Sequence, residues 1–174
     1  LIAVSRNKPP HPPRLEHAQV VHPDDFARIR GHGIVASMQP THATSDMRWA
    51  EKRLGPDRVR GAYAWRTMLQ HSVSLVFGSD FPVESPDIRK GIYASITRTN
   101  ESGRPAGGWF PAQRLTPTET LIAFSLSAAR AVSAPRDRAD FVVFDRDLRT
   151  ARPPEILNAI TRLVVVGGEV VYDA

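Results

Sequence analysis

The sequence contains no cysteine, which excludes a disulfide framework, a thiolate zinc site and a cysteine nucleophile, and leaves any bound metal to histidine and carboxylate. That absence fits the cytoplasm. No apolar run approaches the roughly 18 residues that a membrane span needs. The chain therefore reads as soluble, without a membrane partner. Lysine is scarce, with 3 residues against 20 arginines, a bias that fits a GC-rich genome better than a phosphate-binding surface. The formal charge is +5, yet the basic residues, among them Arg28, Arg53, Arg66, Arg98, Arg114, Arg138 and Arg162, are scattered. Nucleic acid is not an expected partner. The first residues, Leu1 to Arg14, lack an initiator Met and a charged region leading into an apolar stretch, and read as a cut or internal start rather than a signal peptide.

What is present is an alternation of short apolar segments with helix-like stretches. Arg14 to Val21, Ile34 to Gln39 and Val73 to Phe77 have strand character. Between them, Asp24 or a neighbour can cap a helix through Phe26, Ile29 and Arg30 that stops at Gly31-His32-Gly33, and Arg58 to Gln70 has helical spacing after a polar loop. Strands separated by helices imply parallel pairing. A long irregular stretch, Pro82 to Arg114, holds a candidate helix from about Asp87 to Arg98. Thr116-Pro117-Thr118-Glu119 has the form of a capping box with Pro at the first helical position, launching a helix through Leu121, Phe124, Leu126 and Ala129. Beyond it, Ala139 to Asp145 and Thr161 to Tyr172 read as strands, the latter a hairpin about Gly167-Gly168. This tail is a separate, antiparallel module.

Functional groups of parallel β/α folds collect at the carboxyl ends of the strands. His17 lies within or near the end of the first strand, Gln39 and His42 follow the second, and Asp80 follows the third. Imidazole and carboxylate are what a Zn, Fe or Mn site without cysteine requires. From the residues alone, His17 reads also as a hydrogen-bonded structural histidine, and Gly78-Ser79-Asp80 as a turn or helix cap.

The phrases Arg14-Leu-Glu-His-Ala-Gln19, Ala36-Ser-Met-Gln-Pro-Thr-His-Ala-Thr-Ser-Asp46, Gly61-Ala-Tyr-Ala-Trp-Arg66 and Phe77-Gly-Ser-Asp-Phe-Pro-Val-Glu-Ser85 resemble, in order and spacing, the YtcJ-like branch of the metal-dependent amidohydrolase superfamily (amidohydrolase family 3). The likeness continues through Gly107-Gly-Trp109, the capped helix at Thr116 and Ala139 to Asp145. It implies an α/β fold: the C-terminal part of a (β/α)8 TIM-like barrel, strands 6 to 8, over residues 1–131, followed by part of a small β-sandwich over 132–174. The implied activity is hydrolysis of amide or other C–N bonds in a small substrate by water activated on one or two divalent metal ions, zinc foremost. By the same match His17 is the strand-six metal ligand. Asp80 is the strand-eight carboxylate that contacts the metal and acts as general base. Gln39 and His42 are expected to orient substrate or polarise its carbonyl, or else to form a loop hydrogen-bond network. Trp109 is expected to line the substrate pocket or to anchor its own loop. Glu84 fits a supporting place beside Asp80, His22 and His32 the surface, and Trp49, Tyr63 and Trp65 packing.

The family pattern also calls for a His-x-His pair on the first barrel strand, a carboxylate or modified lysine on a middle strand and a His on strand five, none of which is in this sequence. The stretch from Ala131 to Arg138 is shorter than the family's. A truncated gene, an incomplete gene model, or a subunit completed by self-association or a partner chain would each account for this. The alternative to a hydrolase is an inactive remnant serving as a binding or assembly module.

Overall fold

Every residue of strand β2 (Val35–Met38) except Ser37 is buried, which demands neighbours on both edges and cover on both faces. The computed structural model, which describes residues 11–132 and 139–174, shows how both demands are met. Strands β1 (Arg14–Glu16) and β3 (Ser74–Phe77) pair with β2 in parallel, in the order β1-β2-β3. Arg14 stands opposite Val35, Val35 opposite Ser74, and Met38 opposite Phe77, so the three strands finish at nearly the same level. Helix α1 (Asp25–Gly31) connects β1 to β2, and α2 (Pro40–Arg58) and α3 (Trp65–Gln70) connect β2 to β3. Phe26 and Ile29 of α1, Trp65 and Met68 of α3, and Ala36, Met38, Leu75 and Phe77 of the sheet share one core.

After β3 come α4 (Ile88–Thr97), α5 (Pro117–Phe124) and α6 (Leu126–Ala131). Phe124 meets Phe77 edge-on at 5.4 Å, seating α5 on the parallel sheet. The second sheet is antiparallel, in the order β4 (Phe141–Phe144), β5 (Thr161–Val166), β6 (Glu169–Asp173), with α7 (Pro153–Leu157) between β4 and β5. A smaller core of Ile92, Leu148, Ile156 and Ala159 fastens α4 to α7. Phe141, Val142, Val143, Val170, Val171 and Tyr172 of this sheet remain exposed. No helix of the described residues is long and apolar enough to cross a membrane.

Four elements depart from the sequence expectation. Strand β1 ends at Glu16 rather than Val21, because His17 (φ 68°) and Ala18 (φ 41°) turn into the left-handed region, leaving Val20 a single antiparallel bridge to Ala62. The stretch read as a polar loop after Gln39 is helix α2, for Pro40 occupies its first turn, where a missing N–H costs nothing. That helix bends at Gly55 (φ 74°, ψ 174°), and Tyr63 (φ 48°) shortens the following helix to Trp65–Gln70. The helix launched at Thr116 breaks at Ser125 (φ −120°, ψ −87°) into α5 and α6. Trp49 is not packed: it is exposed, with Arg53 over its ring. The shortened stretch falls largely on 133–138, outside the described residues.

The capping box forms as expected, Thr116 accepting from the Glu119 amide while the Glu119 carboxylate accepts from the Thr116 amide. That carboxylate also receives both Arg66 Nη atoms, at 2.7 and 2.6 Å, which ties α3 to α5. The Arg66 guanidinium is the main reason the Glu119 carboxyl is lowered to about 2 from 4.5, with the Thr116 bonds adding to it against partial burial. A carboxylate whose folded pKa is depressed contributes stability that is complete above its unfolded pKa and lost as pH falls through the folded value. Thermal unfolding of Glu119→Gln should therefore lose stability near neutrality, on the order of 1–2 kcal/mol, and show a flatter acid limb between 4.5 and about 2 than the parent. An unchanged limb would contradict the pairing.

The segment after β1 is pinned by Val21 N–H donating to Gly61 O at 3.0 Å and Tyr63 N–H to Gln19 O at 2.8 Å. A Cβ on Gly61 would lie 1.8 Å from the Val21 carbonyl oxygen. Gly61→Ala should accordingly destabilise the chain by on the order of 2 kcal/mol or more in denaturant unfolding, and a wild-type midpoint would refute the close approach.

Candidate metal centre

Left-handed backbone at the ends of two strands turns two potential ligands into one place. His17 follows β1 at φ 68° and Asp80 follows β3 at φ 58°, a conformation that costs non-glycine residues energy and is retained where the surroundings impose it. The loop to Asp80 is held by Gly78 N–H donating to Met38 O at 3.1 Å and Val83 N–H donating to Asp80 O at 2.8 Å. His42 comes from the first turn of α2, whose start is set by Gln39 in extended conformation and Pro40.

His17, His42 and Asp80 each offer a ligand atom within 4.8 Å of the others. Asp80 Oδ2 is 4.0 Å from His17 Nδ1 and 3.8 Å from His42 Nε2. The imidazoles stack with centroids 6.0 Å apart. Ligand atoms around a tetrahedral zinc, each about 2.0–2.2 Å from the metal, lie roughly 3–4 Å from one another, so the group is close to the spacing a cation needs. His42 is buried and its Nε2 has no hydrogen-bond partner, although an orphaned buried polar atom is costly. An ion bound there would satisfy it.

Neighbouring amides orient both rings. Gln39, itself buried, accepts at Oε1 from His17 Nδ1 at 3.1 Å, which leaves Nε2 as the His17 nitrogen open to a cation, and the Gln19 side-chain Nε2 sits 3.5 Å from His42 Nδ1. The amide nitrogen of Gln19 is the atom that faces Nδ1; exchange of the amide's oxygen and nitrogen, which leaves the side chain's outline unchanged, puts the proton on Nδ1 and a lone pair on Nε2, the tautomer that metal binding requires. The residues present thus fit a divalent cation.

His17, Gln39, His42 and Asp80, all singled out in the sequence, come together. That His42 joins them as a candidate third donor was not read from the sequence, because its position in a presumed loop gave no direction to its side chain. Trp109 lies elsewhere: it is buried, its indole donates to Glu51 Oε1 at 2.8 Å, and its ring meets Tyr63 edge-on at 5.9 Å. These contacts hold the loop that carries it. Glu84 accepts from Ser45 Oγ at 2.7 Å, linking the Asp80 loop to α2. His22 and His32 are exposed, whereas Tyr63 and Trp65 are buried.

Against known families, residues 2–172 match the amidohydrolase family, Amidohydro_3. The chain belongs to that family. It is 27% identical over 177 residues to YtcJ of Bacillus subtilis (strain 168), covering 94% of this chain and 34% of YtcJ. It is 32% identical over 168 residues to LONG AFTER FAR-RED 3 of Arabidopsis thaliana, covering 91% of this chain and 28% of the relative. Among solved structures, an uncharacterized metal-dependent hydrolase of Pyrococcus horikoshii OT3 superimposes with TM-score 0.71 at 26% identity, over 82% of this chain and 30% of the other. A zinc complex of the atrazine chlorohydrolase TrzN of Arthrobacter aurescens TC1, at 17% identity, shares the fold with TM-score 0.62 over 92% of this chain and 36% of the other. The chain spans about a third of the length of these relatives.

If the glutamine sets the His42 tautomer, Gln19→Leu should weaken zinc affinity by about tenfold in a chelator competition assay while leaving the fold intact. Parental affinity in a folded Gln19→Leu protein would remove the glutamine from the centre.

Proposed function

We propose that the chain carries the C-terminal part of a metal-dependent hydrolase acting on amide or other C–N bonds of a small substrate. The carrying observation is the convergence of His17, His42 and Asp80 around the unpartnered Nε2 of His42. In this reading β1, β2 and β3 are the sixth, seventh and eighth strands of a (β/α)8 barrel, residues 1–131 belong to that barrel, and 132–174 to a small β-sandwich. The parallel order of the first sheet and the antiparallel order of the second support it.

His17, His42 and Asp80 would hold one divalent cation, zinc by the histidine-carboxylate donor set. When bound, the cation supplies Lewis-acid polarisation of a carbonyl and a lowered pKa for water. The chain's own residues do the rest. Gln39 and Gln19 hold the imidazole planes. Asp80 accepts a proton at its carboxylate from the attacking water and returns it to the leaving nitrogen, as a base positioned within hydrogen-bonding reach does. Its exposure, with 37% of the side chain accessible, leaves it open to the solvent side where substrate enters. The donor set meets the usual count of about three protein ligands for one catalytic zinc; a second ion would need donors from elsewhere.

Elemental analysis of the purified chain after zinc loading and desalting tests this. About one equivalent is expected, falling sharply in each of His17→Ala, His42→Ala and Asp80→Ala. Absence of bound metal from the folded parent chain, or stoichiometry indifferent to all three substitutions, would overturn the metal centre and favour a binding or assembly module.

A further inference from the structure

Beside the metal centre, on the other side of the first turn of α2, lies a polar cavity of about 170 Å³ between α2, the loop after Asp80 and α4. Its walls carry two carboxylates, Glu84 and Glu101, and one ammonium, Lys90. Lys90 Nζ is spent on Glu101 at 2.9 Å. Glu84 receives the Ser45 hydroxyl at 2.7 Å and only the longer-range attraction of the Lys90 ammonium, so two carboxylates against one ammonium leave the cavity a net negative charge. Thr41 Oγ1, also in the wall, is buried without a hydrogen-bond partner. A carboxylate without a directly paired cation and an orphaned hydroxyl in one cavity are complementary to a group rich in N–H donors and positively charged.

We propose that this cavity is a recognition subsite for a small molecule bearing a protonated amine, with Glu84 as the charge partner and Thr41 as an additional acceptor. Thr41 immediately precedes His42 on α2, and Glu84 follows Asp80 by four residues in the loop after β3, so subsite and metal centre are built from the same turn and the same loop. Resting on the hydrolase reading, the subsite specifies its substrate class: an amide, or a related C–N compound, that carries a cationic amine apart from the scissile bond. Apolar or anionic analogues are disfavoured, since each would leave Glu84 buried further without a partner.

The test is a heteronuclear NMR titration of the isotopically labelled chain in chelated, metal-free buffer, using ethylammonium chloride, acetamide and sodium acetate as separate probes at constant ionic strength. Ethylammonium should produce saturable shifts at the amides of Thr41, Ser45 and Glu84, acetamide weaker ones and acetate none. Glu84→Gln should weaken ethylammonium binding by about tenfold or more, and Thr41→Val several-fold. Should Glu84→Gln fail to fold, Thr41→Val carries the decision. Equal responses to ethylammonium and acetate, no saturable response, or wild-type binding in a folded Glu84→Gln protein would overturn the subsite. Because no metal is present, the two readings separate: zinc binding without amine binding removes the subsite alone, and amine binding without zinc binding removes the hydrolase assignment while leaving the subsite.

Discussion

Parallel pairing of β2 with β1 and β3 decides where the chemistry of this chain is placed. Because the register brings Glu16, Met38 and Phe77 within about one residue of the same level, whatever follows each strand emerges on one side of the sheet. Residues distant in sequence, His17, His42 and Asp80, are thereby delivered to one small volume. A one-residue slip in register would turn every β2 side chain to the opposite face of the sheet and scatter those three side chains.

A buried arginine helps to hold this arrangement. Arg98, only 1% exposed and itself at φ 61°, donates from Nε to Trp109 O at 2.8 Å and from Nη1 to Tyr63 O at 3.0 Å. Its guanidinium lies 4.3 Å from the Trp65 ring centroid and 5.1 Å from that of Trp109. Burial pushes the Arg98 pKa down to about 9, which still leaves it charged at neutral pH. Carbonyl dipoles and two indole faces take the place of a carboxylate, and cation–π contacts gain strength when desolvated. Through these bonds the long loop reaching Trp109 is fastened to Tyr63, whose hydroxyl donates to Asp46 of α2. Burial, reinforced by the Asp46 carboxylate, pushes the Tyr63 phenol upward, so it stays a donor. The candidate metal centre is thus adjoined by packed aromatic and buried polar contacts.

Much of this was legible in the sequence where a local rule and the tertiary outcome agree. The capping box at Thr116, the helix capped by Asp87 and the hairpin at Gly167-Gly168 follow from residue chemistry within a few positions. The apolar segments revealed three parallel strands because alternation with helices leaves little choice of pairing. The departures arise where a long-range contact overrides local preference. Nothing in Glu16-His17-Ala18 announces two left-handed residues; they follow from docking Gln19 and Val21 against the segment at Gly61 and Tyr63. Pro40 was ambiguous between ending a strand and starting a helix, and that ambiguity hid the direction of His42. Arg98 carried no sequence signal, since a buried arginine without an acidic neighbour is invisible to spacing and charge pattern alike.

The central claim, that two imidazoles and one carboxylate from three strand ends form one cation site, is tested most directly by X-ray absorption spectroscopy of the zinc-loaded chain. The account predicts a shell containing two imidazole nitrogens and carboxylate oxygen at about 2.0–2.2 Å, with the imidazole scattering reduced by half in His42→Ala. Zinc carrying no imidazole signal, or an unchanged spectrum in His42→Ala, would contradict it.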